Sequence, residues 1–387
     1  MIALFSLSVW ILFLGLIALG TWTLFLQLRS PSLSCRNKDP LIKGISILKP
    51  LKGAEPSLFN NLESFFLIES ALPFELLFSL EATSDPAYPV VEALMKKYPK
   101  VKARVFTLKS ADDKLHIKNP KIRNISQSYE EATYDALLIS DSNVRIRPNE
   151  LDHLASLLDA KTGMVTSIVA GIDFEGIGGY FESIFLGTFY ARFMALSNRF
   201  AKPCVVGKSM LFRKSETLRF GGLRLLAEFL AEDFMAGEAM RKLGLRIRTS
   251  NFTVLQVLGR YSFQTFWKRH LRWGRIRKAH APLAFAIEPF FGPVSMSLIG
   301  AFSLSRLNLA SFGAGFLASM VFLCFLDSLS YFRVNQPKVR FILYFPAVWL
   351  IRECLSVPLW IQIAYSNKID WRGNRFTLAR GGLLGEK

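Results

Sequence analysis

Four carboxylates and a cluster of guanidiniums carry the chemistry this chain could perform. The stretch "LISDSN" (138–143) closes an apolar run on Asp141, with Asn143 two residues on. Oxygen donors there would suit Mg²⁺ or Mn²⁺ bridging a diphosphate, because hard divalent ions take carboxylates and retain waters. The same letters also spell an ordinary turn after a strand. In "LAEDF" (230–234), Glu232 and Asp233 stand side by side among apolar residues. Adjacent carboxylates repel once desolvated, so one can gain proton affinity and act as a base toward a hydroxyl. The alternative is a helix-surface pair facing water. Asp85, in "ATSDPAYP" (82–89), either caps the helix after Pro86 or accepts a hydrogen bond from a nucleobase. Lys121 in "IKNPKIRNI" (117–125) and Lys208 in "CVVGKSM" (204–210), beside the flexible Gly207, could each meet a phosphate. Either lysine alone also reads as a solvated surface residue.

The guanidiniums lie in "WKRHLRWGRIRK" (267–278). In a helix Arg269, Arg272 and Trp273 fall at i, i+3 and i+4, which sets two guanidiniums and an indole on one face. Such a face could clamp a charged substrate, or it could rest as a foot on lipid headgroups.

Composition narrows the setting. The chain has 387 residues, 51% of them hydrophobic, and a net charge of +18. Residues 2–28 carry no charge and are long enough to cross a hydrocarbon core about 30 Å thick. No basic segment precedes this run, which argues for an anchor over a cleaved signal peptide. Arg29, Arg36, Lys38 and Lys43 follow it, so the positive-inside rule places the next segment in the cytoplasm and the N-terminus outside. The positive balance suits anionic headgroups or a phosphate-rich ligand. Nucleic acid is not expected as a partner: neither zinc-finger spacing nor an RNA-binding aromatic motif is present. Cys35, Cys204, Cys324 and Cys354 are scattered without CxxC spacing, which excludes a disulfide framework and a structural zinc site.

The elements that must position these residues alternate. Residues 44–50, 74–82, 102–108 and 134–144 read as strands, and 56–68, 88–99 and 119–132 read as helices. That order predicts an α/β fold with a largely parallel sheet flanked by helices. Ligands of such sheets bind beyond the carboxyl ends of the strands, and Lys49-Pro50, Asp85 and Asp141 lie at or just past such ends. Farther on, 178–200 reads as a helix with Phe181, Phe185, Phe189 and Phe193 at four-residue steps, a core or membrane-skimming face or a lipid groove. A helix over 225–244, a strand near 246–257 and the basic helix follow. Apolar stretches near 289–305, 309–332 and 341–364 come last, about three membrane segments. The basic stretches 332–340 and 367–382 both claim the cytoplasmic side, so one segment is expected to be re-entrant, or the charge rule fails there. Arg352 and Glu353 should be paired or interfacial. The domain organisation expected is an anchor at 1–30, a catalytic domain at 31–260, a basic interfacial helix at 261–284, membrane segments at 285–366 and a basic tail at 367–387.

The order of these motifs resembles the inverting glycosyltransferases of the GT-A fold, and within them the ceramide glucosyltransferase family. The resemblance is carried by "LKPLKG" (48–53), "NNLESFF" (60–66), "SDPA" (84–87), "NPKI" (119–122), "DSNVRI" (141–146), "AEDF" (231–234), "RHLRW" (269–273) and "IDWRGNRF" (369–376). It implies transfer of glucose from UDP-glucose to the primary hydroxyl of ceramide, with inversion, at the cytosolic face of a membrane (bacterial inner membrane, or Golgi or endoplasmic reticulum). By position, Asp233 would be the base, Asp85 would hold the uridine, and Asp141 the diphosphate and a Mg²⁺ or Mn²⁺ ion. Lys49, Pro50 and Lys121 would line the donor site. Arg269, Arg272 and Trp273 would steady the leaving group and shape the acceptor site. Tyr190, Cys204, Lys208 and Glu232 fall in acceptor or donor pocket positions. Two departures stand out: Tyr190 takes the place of a histidine, and Lys208 that of a methionine in animal members. The rival readings are a related enzyme with another lipid acceptor or another UDP-sugar, and a non-catalytic lipid-binding membrane protein.

Overall fold

A computed structural model describes residues 1–29, 42–55, 57–108, 117–200, 204–337, 340–371, 374–378 and 384–385. Arg36, Lys38, Cys35 and the Arg372-Gly373 pair of the last motif lie outside the described residues. The chain forms two compact units, a helical unit of Met1–Leu26, Glu175–Leu196 and Arg260–Lys387 and a sheet unit of Gln27–Phe174 and Ser197–Gly259.

The sheet unit is built on strands β1 (Ile45–Pro50), β2 (Phe74–Leu80), β3 (Ala103–Thr107), β4 (Ala136–Ile139), β5 (Val144–Arg145), β6 (Thr162–Thr166), β7 (Val169–Glu175), β8 (Met210–Arg213), β9 (Arg246–Thr249) and β10 (Val254–Arg260). Seven of them form one sheet in the order β3-β2-β1-β4-β8-β6-β9. β1 lies between β2 and β4 and is parallel to both, with every residue buried. Continuous apolar strands of this kind belong to sheets covered on both faces, which is why "ISIL" and "ALLI" show no alternation. The helices Leu58–Phe66, Tyr88–Lys97 and Pro120–Glu130 make the crossovers. All three match the expected segments.

Three features differ from the sequence reading. β8, a strand of four residues not read from the sequence, runs antiparallel to both β4 and β6 within the largely parallel sheet expected. The helix expected over 225–244 is two helices, Gly222–Leu226 and Glu232–Lys242. The break brings Glu232 and Asp233 into the first turn of the second helix, where the helix dipole favours negative charge. The strand near 246–257 is also two: β9 pairs with β6, and β10 with β5 in a second sheet. The intervening "SNF" turns the chain between them.

In the helical unit, Ile2–Gln27, Phe312–Asn335 and Phe341–Ala364 are long and apolar enough to cross a membrane. Pro282–Phe291 and Pro293–Arg306 form a pair bent by 58°, a broken span or a re-entrant loop. Charged side chains buried here are paired. Arg192 meets Asp327, whose other oxygen accepts from Trp349 Nε1 at 2.6 Å, and Arg352 meets Glu353. Pairing of this kind is what ionisable groups within apolar helices require.

Phe212 of β8 is 2% exposed in the core of the sheet unit, beside Leu137, Ile139 and Met164. Phe212→Ala is expected to cost about 3–5 kcal/mol. Chemical unfolding of the detergent-solubilised protein, followed by tryptophan fluorescence, checks this; an unchanged midpoint would mean that β8 is not part of the cooperative core.

Candidate active site

The site in the sheet unit follows from strand register. β1 and β4 are aligned so that Leu48 faces Ile139, which sets Lys49 level with Ser140 at the carboxyl ends. β4 and β8 are antiparallel with Ile139 opposite Met210. Two residues past Ile139 and two before Met210, Asp141 comes against Lys208. The side chains meet accordingly: Lys208 Nζ lies 3.1 Å from Asp141 Oδ2 and 3.0 Å from Asn143 Oδ1.

Lys121 takes the other oxygen of Asp141 at 3.0 Å. It sits in the first turn of the helix Pro120–Glu130, capped by Asn119, whose Oδ1 accepts from the amides of Lys121 and Ile122. Asn119 Nδ2 in turn donates to Phe229 O at 2.7 Å and to Glu232 Oε2 at 3.3 Å, linking this helix start to that of Glu232–Lys242. Lys121 Nζ also reaches Glu232 Oε1 at 3.1 Å and Gly207 O at 2.9 Å. The Gly207 amide donates to Asp233 Oδ2 at 2.7 Å. A Cβ on Gly207 would stand 2.9 Å from Lys121 Nζ and 3.1 Å from Asp233 Oδ2, so a side chain here would push the Lys121 ammonium aside.

Lys49 is wholly buried. Its ammonium donates to Ser140 Oγ at 3.2 Å and Asp141 O at 2.6 Å and lies over the Phe65 ring. It therefore braces the Asp141 loop from within, and its contact with any ligand is indirect. Pro50 closes β1 beside Ser79. Asp85 accepts from the amides of Gly53 and Ala87 and ties the loops after β1 and β2 together. It does not cap the helix Tyr88–Lys97, whose N-cap is Ala87 with no side-chain cap bond. Cys204 is held through its backbone by Asn198, ahead of Gly207.

These contacts set the charges. Burial alone would push the Asp141 carboxyl up, but the Lys121 and Lys208 ammoniums overcome it and hold it well below the usual carboxylate range. Burial lowers the proton affinity of Lys121; Asp141, Glu232 and Asp233 outweigh that and raise it. Glu232 goes up, chiefly through burial and further through Asp233, against the pull of Lys121. Lys49 is driven well down by burial, with Asp141 opposing. Of the two adjacent carboxylates, Glu232 is 6% exposed and enclosed by Lys121 and Asn119, whereas Asp233 is only part-buried. Asp233 is the more exposed of the two, its oxygens accepting from the Gly207 and Phe234 amides.

The "RHLRW" motif lies on the helix Phe263–His280 of the helical unit and is arranged around a carboxylate that the sequence reading missed. Glu182, fully buried, meets Arg269 Nε at 3.1 Å and His270 Nε2 at 2.9 Å. Its one signal was a single Glu inside the apolar stretch "GGYFESIF". Burial holds the His270 ring below its ordinary value, against the opposing effect of Glu182. The Arg269 guanidinium lies 4.2 Å over the Trp273 ring, and Tyr190, at the end of a π-helical turn (Leu186–Tyr190), stacks on the same indole. The outer basic residues also make contacts within the helical unit. Arg277 forks onto Glu288, Lys278 donates to the carbonyls of Ile363, Ala364 and Ser366, and Arg275 donates to that of Lys368. They are spent on holding the unit's own helices and strands.

The profile of Glycosyl transferase family 21 matches residues 8–384. The chain belongs to this family. Among family 21 relatives, ceramide glucosyltransferase 1 of Caenorhabditis elegans is 32% identical over 89% of this chain and 74% of its own length. Ceramide glucosyltransferase of Komagataella phaffii is 27% identical over 88% and 83%. A mannosyltransferase of Pyrobaculum calidifontis, solved with GDP-Man and Mn²⁺, superposes with a TM-score of 0.52 at 14% identity over 94% of this chain and 98% of that one. It shares the GT-A fold, and this family 21 chain is a membrane-associated glycosyltransferase.

A divalent ion was expected on Asp141. Mg²⁺ and Mn²⁺ bind through vacant carboxylate and carbonyl oxygens. Here both Asp141 carboxylate oxygens and Asn143 Oδ1 are already on ammonium groups. Among the described residues no group of three or more His, Cys, Asp or Glu side chains is placed to hold a metal. The residues present do not fit the ion unless a lysine gives way.

Asp141 sits lower in the folded protein than in the unfolded chain, so the stability it contributes is present above the ordinary carboxylate pKa of about 4 and is lost as pH falls through the folded value. Asp141→Asn should therefore melt below the parent at neutral pH, with the gap closing under acid. A gap of constant size across a melting-temperature series from neutral to strongly acid pH would show that the lysines do not hold Asp141 ionised.

Proposed function

We propose that this family 21 enzyme transfers glucose from UDP-glucose to the primary hydroxyl of ceramide with inversion, making glucosylceramide. The observation that supports this most directly is Asp233. It is an accessible carboxylate, held by the Gly207 amide at 2.7 Å, on a turn whose next residue, Lys208, lies against Asp141. One turn thus ties a carboxylate that can take a proton to an ammonium that can meet a diphosphate.

In this reading the ceramide hydroxyl gives its proton to Asp233 as its oxygen attacks the anomeric carbon. The bond from that carbon to the diphosphate breaks on the opposite face, and UDP departs with the electron pair. A single displacement of this kind inverts the anomeric centre. Lys121 and Lys208 neutralise the charge that grows on the diphosphate, acting as preorganised donors that need no reorganisation at the moment of reaction. A Mg²⁺ or Mn²⁺ ion would reach Asp141 only by displacing Lys208. Asp85 shapes the paired loops toward the uridine, and Arg272 and Trp273 keep the leaving-group and acceptor roles that their motif implies. Arg269, engaged by Glu182 and stacked on Trp273, orients that indole. Residues 1–30 anchor the chain, residues 31–260 form the catalytic domain on the cytosolic face, and the segments from 285 on engage the bilayer that delivers the acceptor.

Purified protein should release UDP from UDP-glucose when ceramide is supplied and little without it. Ceramide-independent release at the same rate, or transfer to another lipid alone, would overturn the acceptor assignment. Asp233→Asn keeps the Gly207 contact and removes basicity. It is expected to bind UDP-glucose within a few fold of the parent while turnover falls about 10²–10⁴-fold, the range of a lost general base. Turnover near that of the parent would move the base elsewhere.

A further inference from the structure

We infer that Lys208 is a resident cation, standing where a divalent ion would sit and serving as counter-charge to the donor diphosphate, so that nucleotide binding needs no metal. This rests on the proposal that the donor is a nucleotide diphosphate sugar. The argument is geometric. Lys208 Nζ lies 3.1 Å from Asp141 Oδ2 and 3.0 Å from Asn143 Oδ1, the two side-chain oxygens that an ion at this strand end would use. The position is built rather than adventitious. The β4–β8 register sets the backbones of residues 141 and 208 opposite each other, and Lys208 itself is 8% exposed. Its stem is therefore packed, and its ammonium cannot wander to solvent as a surface lysine would.

The occupancy of the oxygens points the same way. The ammoniums of Lys121 and Lys208 stand on the two oxygens of the 30%-exposed Asp141 carboxylate, where a divalent ion would need them vacant. An ammonium also gives up its water more readily than Mg²⁺, which dehydrates reluctantly, so a diphosphate can meet it directly.

The test measures UDP affinity by calorimetry for the full-length protein in detergent, in chelator and again with Mn²⁺, for the parent and for Lys208→Met, which keeps the length of the stem and removes the charge. The parent is expected to bind UDP equally in both conditions. Lys208→Met should bind about tenfold or more weakly in chelator, the scale of a lost charge-assisted contact, and recover with Mn²⁺, which now finds vacant oxygens. A melting curve with and without Mn²⁺ confirms that the variant is folded and should show a metal-dependent rise in the variant alone. A parent that loses UDP binding in chelator overturns the inference, whatever the variant does. So does a Lys208→Met variant whose affinity matches the parent in chelator. Failure of the parent to bind UDP in either condition overturns the donor assignment and this inference with it.

Discussion

The carboxylate of Asp141, held between the ammoniums of Lys121 and Lys208, is the constraint on which the sheet unit depends. A half-buried carboxylate beside a fully buried glutamate would be untenable without those cations, since each desolvated charge must be paired. Each partner comes from a different part of the fold: Asp141 from the end of β4, Lys121 from a capped helix start, Lys208 from the entrance to β8. Satisfying one charge therefore fixes the relative positions of three elements. Lys49 completes the arrangement beneath, where its buried ammonium spends its donors on the Asp141 loop.

Gly207 shows how tightly this network is drawn. Its carbonyl accepts from Lys121 and its amide donates to Asp233, so a single peptide turn couples the Lys121 ammonium to the Asp233 carboxylate. A side chain added there would meet both groups.

The helical unit solves a similar problem in apolar surroundings. Glu182 collects Arg269 and His270, and Asp327 collects Arg192 and Trp349. Pairing within the unit lets a basic helix and its neighbours bury charge that would otherwise be expelled. The consequence for "WKRHLRWGRIRK" is a division of labour: Arg269, Arg275, Arg277 and Lys278 are held by carboxylates and carbonyls of their own unit, and the aromatic stack of Tyr190 and Trp273 is fixed between them.

Much of this was legible before any coordinates. The β-α alternation from 44 to 144, the strand-end positions of Asp85 and Asp141, the adjacent carboxylates at 232–233, the apolar first helix and the family itself are all local or collinear features. Hydrophobic runs and capping residues encode them within a few positions of where they act. The antiparallel β8 was not legible: "MLFR" is four residues buried on every side, with no alternation to mark it and nothing in it to name β4 as its neighbour. Lys208 accordingly read as one lysine among many, and Glu182 as one acid in an apolar helix. Their partners lie 67 and 88 residues away, and pairing over such distances is chosen by the register of the sheet and the packing of helices, which no local pattern records. The residue types and their order were decided by the sequence; which charge meets which was decided only by the fold.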